Sequence, residues 1–414
     1  MPHESGQNSA FHRETRLLLQ GAMFIFLLTV IVGILNGLDV IDFDHKTLMA
    51  HVHAGTLGWI TLGFFAACLW LFSKRPPLNS WRARLPRPLS WGSIVAIAFY
   101  VIAFYSGNLT ARLIGGSLTL IAILGFFVWV VAQGRAVRLS TPHLGLLAAA
   151  ATLTIGGVLG VVLGIWLKGG LRFLPAEILV SHPVPLIVGY LILAGMAISE
   201  WRLNPASVQS PASRAGWAQA MLPFLGGLVV TVGAVLNNEV VIGLYVPLEV
   251  TGVSIYVVRL RRSVMGAAWR EGSHERLFAI SALFLVANVG LFTYLIVSLL
   301  GGAYGDPPDF GRIPIWLIFA QDHAMFIGVL TNGLFGLAHE AAGRRRSFWP
   351  WADHVLFWGM NAGLVGFVVG LIMQEAIIKQ VFTPIMGASI LLGMLTYTVR
   401  LQTGTSEHVP VSAG

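Results

Sequence analysis

About twelve apolar runs, each about twenty residues long, follow one another along this chain with only short polar connections between them. That length is what a helix needs to cross the hydrocarbon core of a bilayer, where a backbone can satisfy its own polar groups only as a helix or a closed barrel. The runs fall at roughly 17–39, 48–72, 89–107, 110–132, 143–167, 176–199, 216–237, 240–259, 277–300, 315–338, 354–374 and 380–400. Composition agrees, since 56% of the 414 residues are hydrophobic and 11% are charged. That leaves too little polar surface to coat a soluble protein of this size. The sequence predicts an all-α polytopic membrane bundle, one transmembrane helical domain over 15–402, with polar tails at 1–14 and 403–414 expected to be disordered. No connection is long enough to fold alone, and no internal repeat stands out.

Charge orients the bundle. With the N-terminus in the cytoplasm, the inner connections hold 20 of the 26 Lys and Arg, among them Arg13, Arg84, Arg262 and Arg400. The outer ones keep Lys46, Arg112, Lys168, Arg172, Arg312 and Lys379. Basic residues concentrate on the cytoplasmic side of membrane proteins, so both termini are expected inside, in a bacterial inner membrane. The net charge of +8 then reflects topology and contact with anionic lipid rather than a nucleic-acid partner. The single cysteine, Cys68, can form no internal disulfide. The polar N-terminal stretch lacks a signal-peptide pattern, and the first helix is long enough to span and stay.

Histidines carry the functional signal. His51 and His53, His182 and His323 lie in the second, sixth and tenth runs, which enter the membrane from the outside in this topology. They sit about 9–13 Å deep at ~1.5 Å per residue. A histidine inside a bilayer is costly unless it meets a cavity, a partner or a metal, so three positions at one depth predict one cofactor layer. His51 and His53 are about 200° apart around a helix and cannot serve one ion from one face; one is expected to face the site and the other a hydrogen-bond partner. A bis-imidazole heme needs a histidine from each of two facing helices and an apolar slot. His53 or His51 with His323 meets the first need, and Gly55, Gly58, Gly63 and Gly328 are expected to leave room for the ring. The competing reading is interhelical hydrogen-bond glue. Zinc has no supporting Cys or carboxylate pattern.

Glu249 falls about halfway down the eighth run. An intramembrane carboxylate is a candidate for a proton pathway; the competing reading is a structural group hydrogen-bonded to Asn288 or Tyr245. Asn332 and Asn361 read as packing hydrogen bonds. Arg312, in the last outer connection, is a candidate grip for a heme propionate.

These features resemble the catalytic subunit I of the heme-copper oxidase superfamily, which includes nitric oxide reductases. Met49-Ala50-His51-Val52-His53-Ala54-Gly55 is similar to the segment holding a low-spin heme ligand, Ser181-His182-Pro183 to the one whose His-Pro supplies a copper ligand, and Ala320-Gln321-Asp322-His323 stands where the family has His-x-His. The resemblance implies heme b, electron transfer or handling of O2 or NO in a respiratory context, a cytochrome or partner subunit, and an oxidoreductase. The chain departs from it in lacking histidines on the seventh helix and in carrying Gln321 where a high-spin heme ligand belongs. On the resemblance, His182 is then the remaining metal candidate beside the pair of His53 and His323. Copper held in stoichiometric amount and oxygen-dependent cytochrome c oxidation are accordingly not expected. The NnrS-like heme and copper proteins are a second resemblance, through His-x-His near a helix start. The alternative class is a heme-free, proton-coupled secondary transporter using Glu249 and the histidines as a relay.

The charge asymmetry predicts that cysteines placed at Arg84 and Arg262 resist an impermeant thiol reagent in intact cells, while one at Asp309 reacts. Labelling at position 84 would reverse the orientation.

Overall fold

The computed structural model describes residues 10–74, 76–77, 79–171, 173–174, 181–305, 310–343 and 348–403, and among these it contains helices and connections with no strand. The long helices are α1 (His12–Gly37), α2 (His45–Leu71), α3 (Pro86–Ser106), α4 (Leu109–Gly134), α5 (Thr141–Leu167), α6 (Pro185–Leu203), α7 (Arg214–Val235), α8 (Glu239–Met265), α9 (Glu275–Leu300), α10 (315–342), α11 (Pro350–Met373) and α12 (Ala376–Thr403). All but α10 are long and apolar enough to cross a membrane, giving eleven such helices among the described residues. α10 runs unbroken from Ile315 to Ala342, and its length suffices to span. What sets it apart is polarity: Gln321, Asp322, His323, Asn332, His339 and Glu340 all lie on it.

Local chemistry fixes the helix starts. The side chains of Asp44, Asn108, Ser213 and Asn238 accept from the backbone N–H three residues on, opening α2, α4, α7 and α8. Gly107, at φ +73°, turns the chain from α3 into α4, a conformation that costs a residue with Cβ far more. Neighbours in sequence then pack as hairpins, α3 on α4, α7 on α8 and α11 on α12. α2 and α6 are the most enclosed spans.

One end of the bundle is clamped by buried charge. Arg259 of α8 pairs with Glu200 of α6 at 2.6 Å, and Gln219 of α7 donates to the same carboxylate at 2.6 Å. Arg202 meets Glu340 of α10 at 2.9 Å with its guanidinium 3.7 Å from the Trp201 ring centre. Arg400 of α12 grips Asp353 of α11 at 2.7 and 3.0 Å, and the Tyr397 hydroxyl donates to that carboxylate at 3.0 Å. His143, His339 and His354 lie near helix ends and bond to Ser140, Tyr397 and Arg276. At the opposite end Lys379 and Gln380 hydrogen-bond Asp39, and these bonds hold its exposed carboxyl below the usual range.

α11 and α12 touch backbone to backbone. A Cβ on Gly363 would fall 2.6 Å from the Met386 nitrogen, so nothing flexible is there to yield. Gly363→Ala should therefore force the two helices apart and cost about 1–3 kcal/mol, read as a lower unfolding midpoint of the purified protein.

Candidate functional site

All four histidine positions meet near one end of α2, α6 and α10, and in each helix a π-helical segment follows. It runs Ala54–Thr61 after His53, Pro185–Leu191 after His182, and Ala324–Thr331 after His323. A π-turn bonds i to i+5 and is rare outside functional sites; here three occur at matching positions. Thr61 and Thr331 each donate to the carbonyl five residues back, Thr56 and Phe326, at 2.9 and 2.8 Å. The segments are also bonded to each other. Trp59 Nε1 donates to Thr331 Oγ1 at 2.9 Å, and the Tyr190 hydroxyl donates to Thr61 Oγ1 at 3.3 Å.

A repeat that sequence reading missed underlies this match. His53-Ala54, Gly58, Thr61 and Gly63 recur at identical spacing as His323-Ala324, Gly328, Thr331 and Gly333. Aligned on the π-segments, Gly189 of α6 joins Gly58 and Gly328 as the fifth residue of each.

The imidazoles are held in defined tautomers. His53 Nδ1 bonds to the Met49 carbonyl and His323 Nδ1 to the Phe319 carbonyl, each at 2.7 Å and each four residues back. His51 Nδ1 bonds to the Thr29 carbonyl of α1 at 2.9 Å, while Thr29 Oγ1 donates to the His51 carbonyl at 3.1 Å. A carbonyl only accepts, so in all three rings the proton sits on Nδ1 and, in the neutral ring, Nε2 keeps its lone pair. That is the state in which a histidine ligates a metal.

The structure sorts the histidines into two groupings. His51 lies within electrostatic reach of His323, and His53 within reach of His182 and Arg112. His51 has its hydrogen-bond partner on α1, in Thr29, while His53 bonds within its own helix. His53 stacks on Phe104 at 4.0 Å, and His323 tilts against Phe367 at 4.6 Å. Although α2 is deeply enclosed, His51 and His53 are only half-buried, as are His182 and His323.

Three expectations need correction. His182 is not inside a helix; it lies in a turn ahead of Pro183 and Pro185, because a residue before proline is kept out of the α conformation. Residues 175–180, expected to begin that run, lie outside the described residues. The glycines expected to leave a slot are filled by neighbours: Thr29 faces Gly55, Ile25 faces Gly58, Leu334 faces Gly63 and Phe284 faces Gly328. They permit close helix packing instead. Glu249 bonds to neither Asn288 nor Tyr245, since Asn288 donates to the Gln321 carbonyl at 2.7 Å. Asn332 and Asn361, in contrast, exchange amide hydrogen bonds at 2.8 and 3.1 Å, as packing groups should.

Arg312 lies in a short turn, Phe310–Arg312, just ahead of α10. The arginine the fold brings near His53 is Arg112, which bonds to the Phe104 carbonyl at 3.2 Å with its guanidinium 4.7 Å from that ring. Only its place among the few outer basic residues marked it in the sequence. No cluster of three or more His, Cys, Asp or Glu is arranged to hold a metal ion among the described residues. No family model matches this chain, and no curated protein matches it either.

Thr331→Val should leave the buried Trp59 N–H without an acceptor and lower stability by about 1–3 kcal/mol, whereas Thr331→Ser should retain it. Equal unfolding midpoints for the two variants would show that this bond does not tie the π-segments together.

Proposed function

We propose that the chain is a heme-binding membrane protein that carries electrons or binds a diatomic gas. The observation that carries this reading is the pair His51 and His323, on two helices, each with Nδ1 committed to a carbonyl and Nε2 left for a ligand. The donor set fits a bis-imidazole heme, and both residues are only half-buried. His51 takes the ligand role on α2, because its electrostatic neighbour is His323, whereas His53 neighbours His182 and Arg112. Heme b supplies one-electron redox chemistry.

The residues divide the remaining work. Thr29 fixes the His51 ring from α1, Phe319 fixes His323, and Phe367 covers one side of the latter. On the other side of α2, His53, His182 and Arg112 form a second polar group suited to another metal or to an anionic heme edge, with Arg112 as the carboxylate grip. Arg312 remains the corresponding candidate at the start of α10. In the cell, the orientation places both termini in the cytoplasm of a bacterium, the histidine layer near the outer face, and lipid around the apolar helix faces. A cytochrome or partner subunit would exchange electrons there. The competing reading, a proton-coupled transporter, draws its support from Glu249.

Wild-type protein should show the reduced absorption bands of low-spin b-type heme. His51→Ala and His323→Ala should each abolish or convert them, while His53→Ala should leave them in place. A wild-type spectrum in His323→Ala would refute the ligand assignment, and loss in His53→Ala with retention in His51→Ala would move the α2 ligand two residues on. Absence of heme from the purified wild type would favour the transporter.

A further inference from the structure

We infer that Glu249, Asn288 and Tyr245 form a binding site for a small monovalent cation of the sodium class inside the bundle. The inventory of atoms is what points to an ion. Both Glu249 carboxylate oxygens, the Asn288 Oδ1 and the Tyr245 hydroxyl are buried and make no hydrogen bond to any described residue. The three residues are at most 1% exposed. A buried polar atom left unpaired costs about 1–3 kcal/mol, and an uncompensated charge costs more. Four such atoms in one region are not tolerated without an occupant.

Geometry places them together. Tyr245 of α8 and Phe292 of α9 pack ring to ring at 5.2 Å. α8 and α9 are antiparallel neighbours in the chain, so Glu249, four residues after Tyr245, lies level with Asn288, four residues before Phe292. On the third side, a Cβ on Gly226 of α7 would lie 3.5 Å from Glu249 Oε2 and 3.4 Å from the Tyr245 ring. A glycine at 226 thus keeps that flank free of side chain.

The orientation of Asn288 excludes the ordinary solution. Its Nδ2 is committed to the Gln321 carbonyl, which only accepts, so the amide cannot flip, and Oδ1 must point away as an acceptor. An ionised Glu249 is acceptor-only as well. No lysine, arginine or histidine hydrogen-bonds or ion-pairs with Glu249 among the described residues. Carboxylate, amide and phenolic oxygens are hard donors, the set that alkali and alkaline-earth ions take and soft metals do not. With one carboxylate as the only charge, a single positive charge gives neutrality, which selects a monovalent ion. Gln321 lies two residues before His323, so the site adjoins the histidine layer without sharing a ligand with it, and it stands whether or not that layer binds heme.

The test is equilibrium retention of radioactive 22Na+ by purified full-length protein. About one ion per chain should be retained and displaced by unlabelled Na+ but not by choline. Glu249→Gln should abolish retention, and Asn288→Ala should weaken it about tenfold. Tyr245→Phe should weaken it too, which provides a further variant should Glu249→Gln fail to elute as folded protein. No retention by the wild type, together with equal unfolding midpoints in sodium and choline chloride, would overturn the proposal and make Glu249 a neutral, proton-bearing acid. Undiminished retention in a folded Glu249→Gln would overturn it equally, by placing the ion elsewhere.

Discussion

The bond from an imidazole Nδ1 to a main-chain carbonyl is the interaction on which the histidine layer depends. A histidine in an apolar interior has two nitrogens to satisfy, and leaving both open would be costly. Fixing one to Thr29, Met49 or Phe319 removes half that cost and orients the ring. In the neutral ring the other nitrogen is then the acceptor.

The π-segments determine how the rings are presented. Five residues per bond instead of four rotates everything beyond the turn relative to an α-helix, so the histidines of α2 and α10 are offset from the residues that follow them. Such turns are unfavourable on their own. Here the threonines at their ends bond five residues back, and Trp59 and Tyr190 tie the three segments side by side. Large neighbours then occupy the space above the glycines, with Ile25 at Gly58 and Phe284 at Gly328. Replacing either glycine would therefore displace a neighbouring helix before it touched the layer itself.

The spans were legible because each is set by a long apolar run and ended by local signals such as Asn108, Ser213 and Asn238, which a reader can identify without any tertiary contact. The place of His51, His53 and His323 near the starts of α2 and α10 followed from the same arithmetic. Their partners did not, since two residues on one helix can point to different neighbours and only packing decides which. His51 goes to α1 and His323, His53 to α3, Arg112 and His182. The π-turns were invisible because a one-residue change in hydrogen bonding leaves the apolar pattern intact. The His-Ala-x3-Gly-x2-Thr-x-Gly repeat could have revealed two of them, but its copies are 270 residues apart and share only five positions. His182 was misplaced because proline was read as part of a motif rather than as a restriction on the preceding backbone.

Where the charges lie explains why the layer can be polar without loosening the bundle. Among the described residues, full ion pairs lie at the ends, where Glu200, Glu340 and Asp353 each meet an arginine from another helix. Deeper in, polar pairs are neutral, as between Asn332 and Asn361. Breaking a buried ion pair strands a charge, so the basic end resists separation of α6, α8, α10, α11 and α12. The histidine end has no comparable clamp among its described contacts beyond neutral hydrogen bonds and the exposed pair of Asp39 and Lys379. A bundle bound tightly at one end and weakly at the other yields first at the weak end.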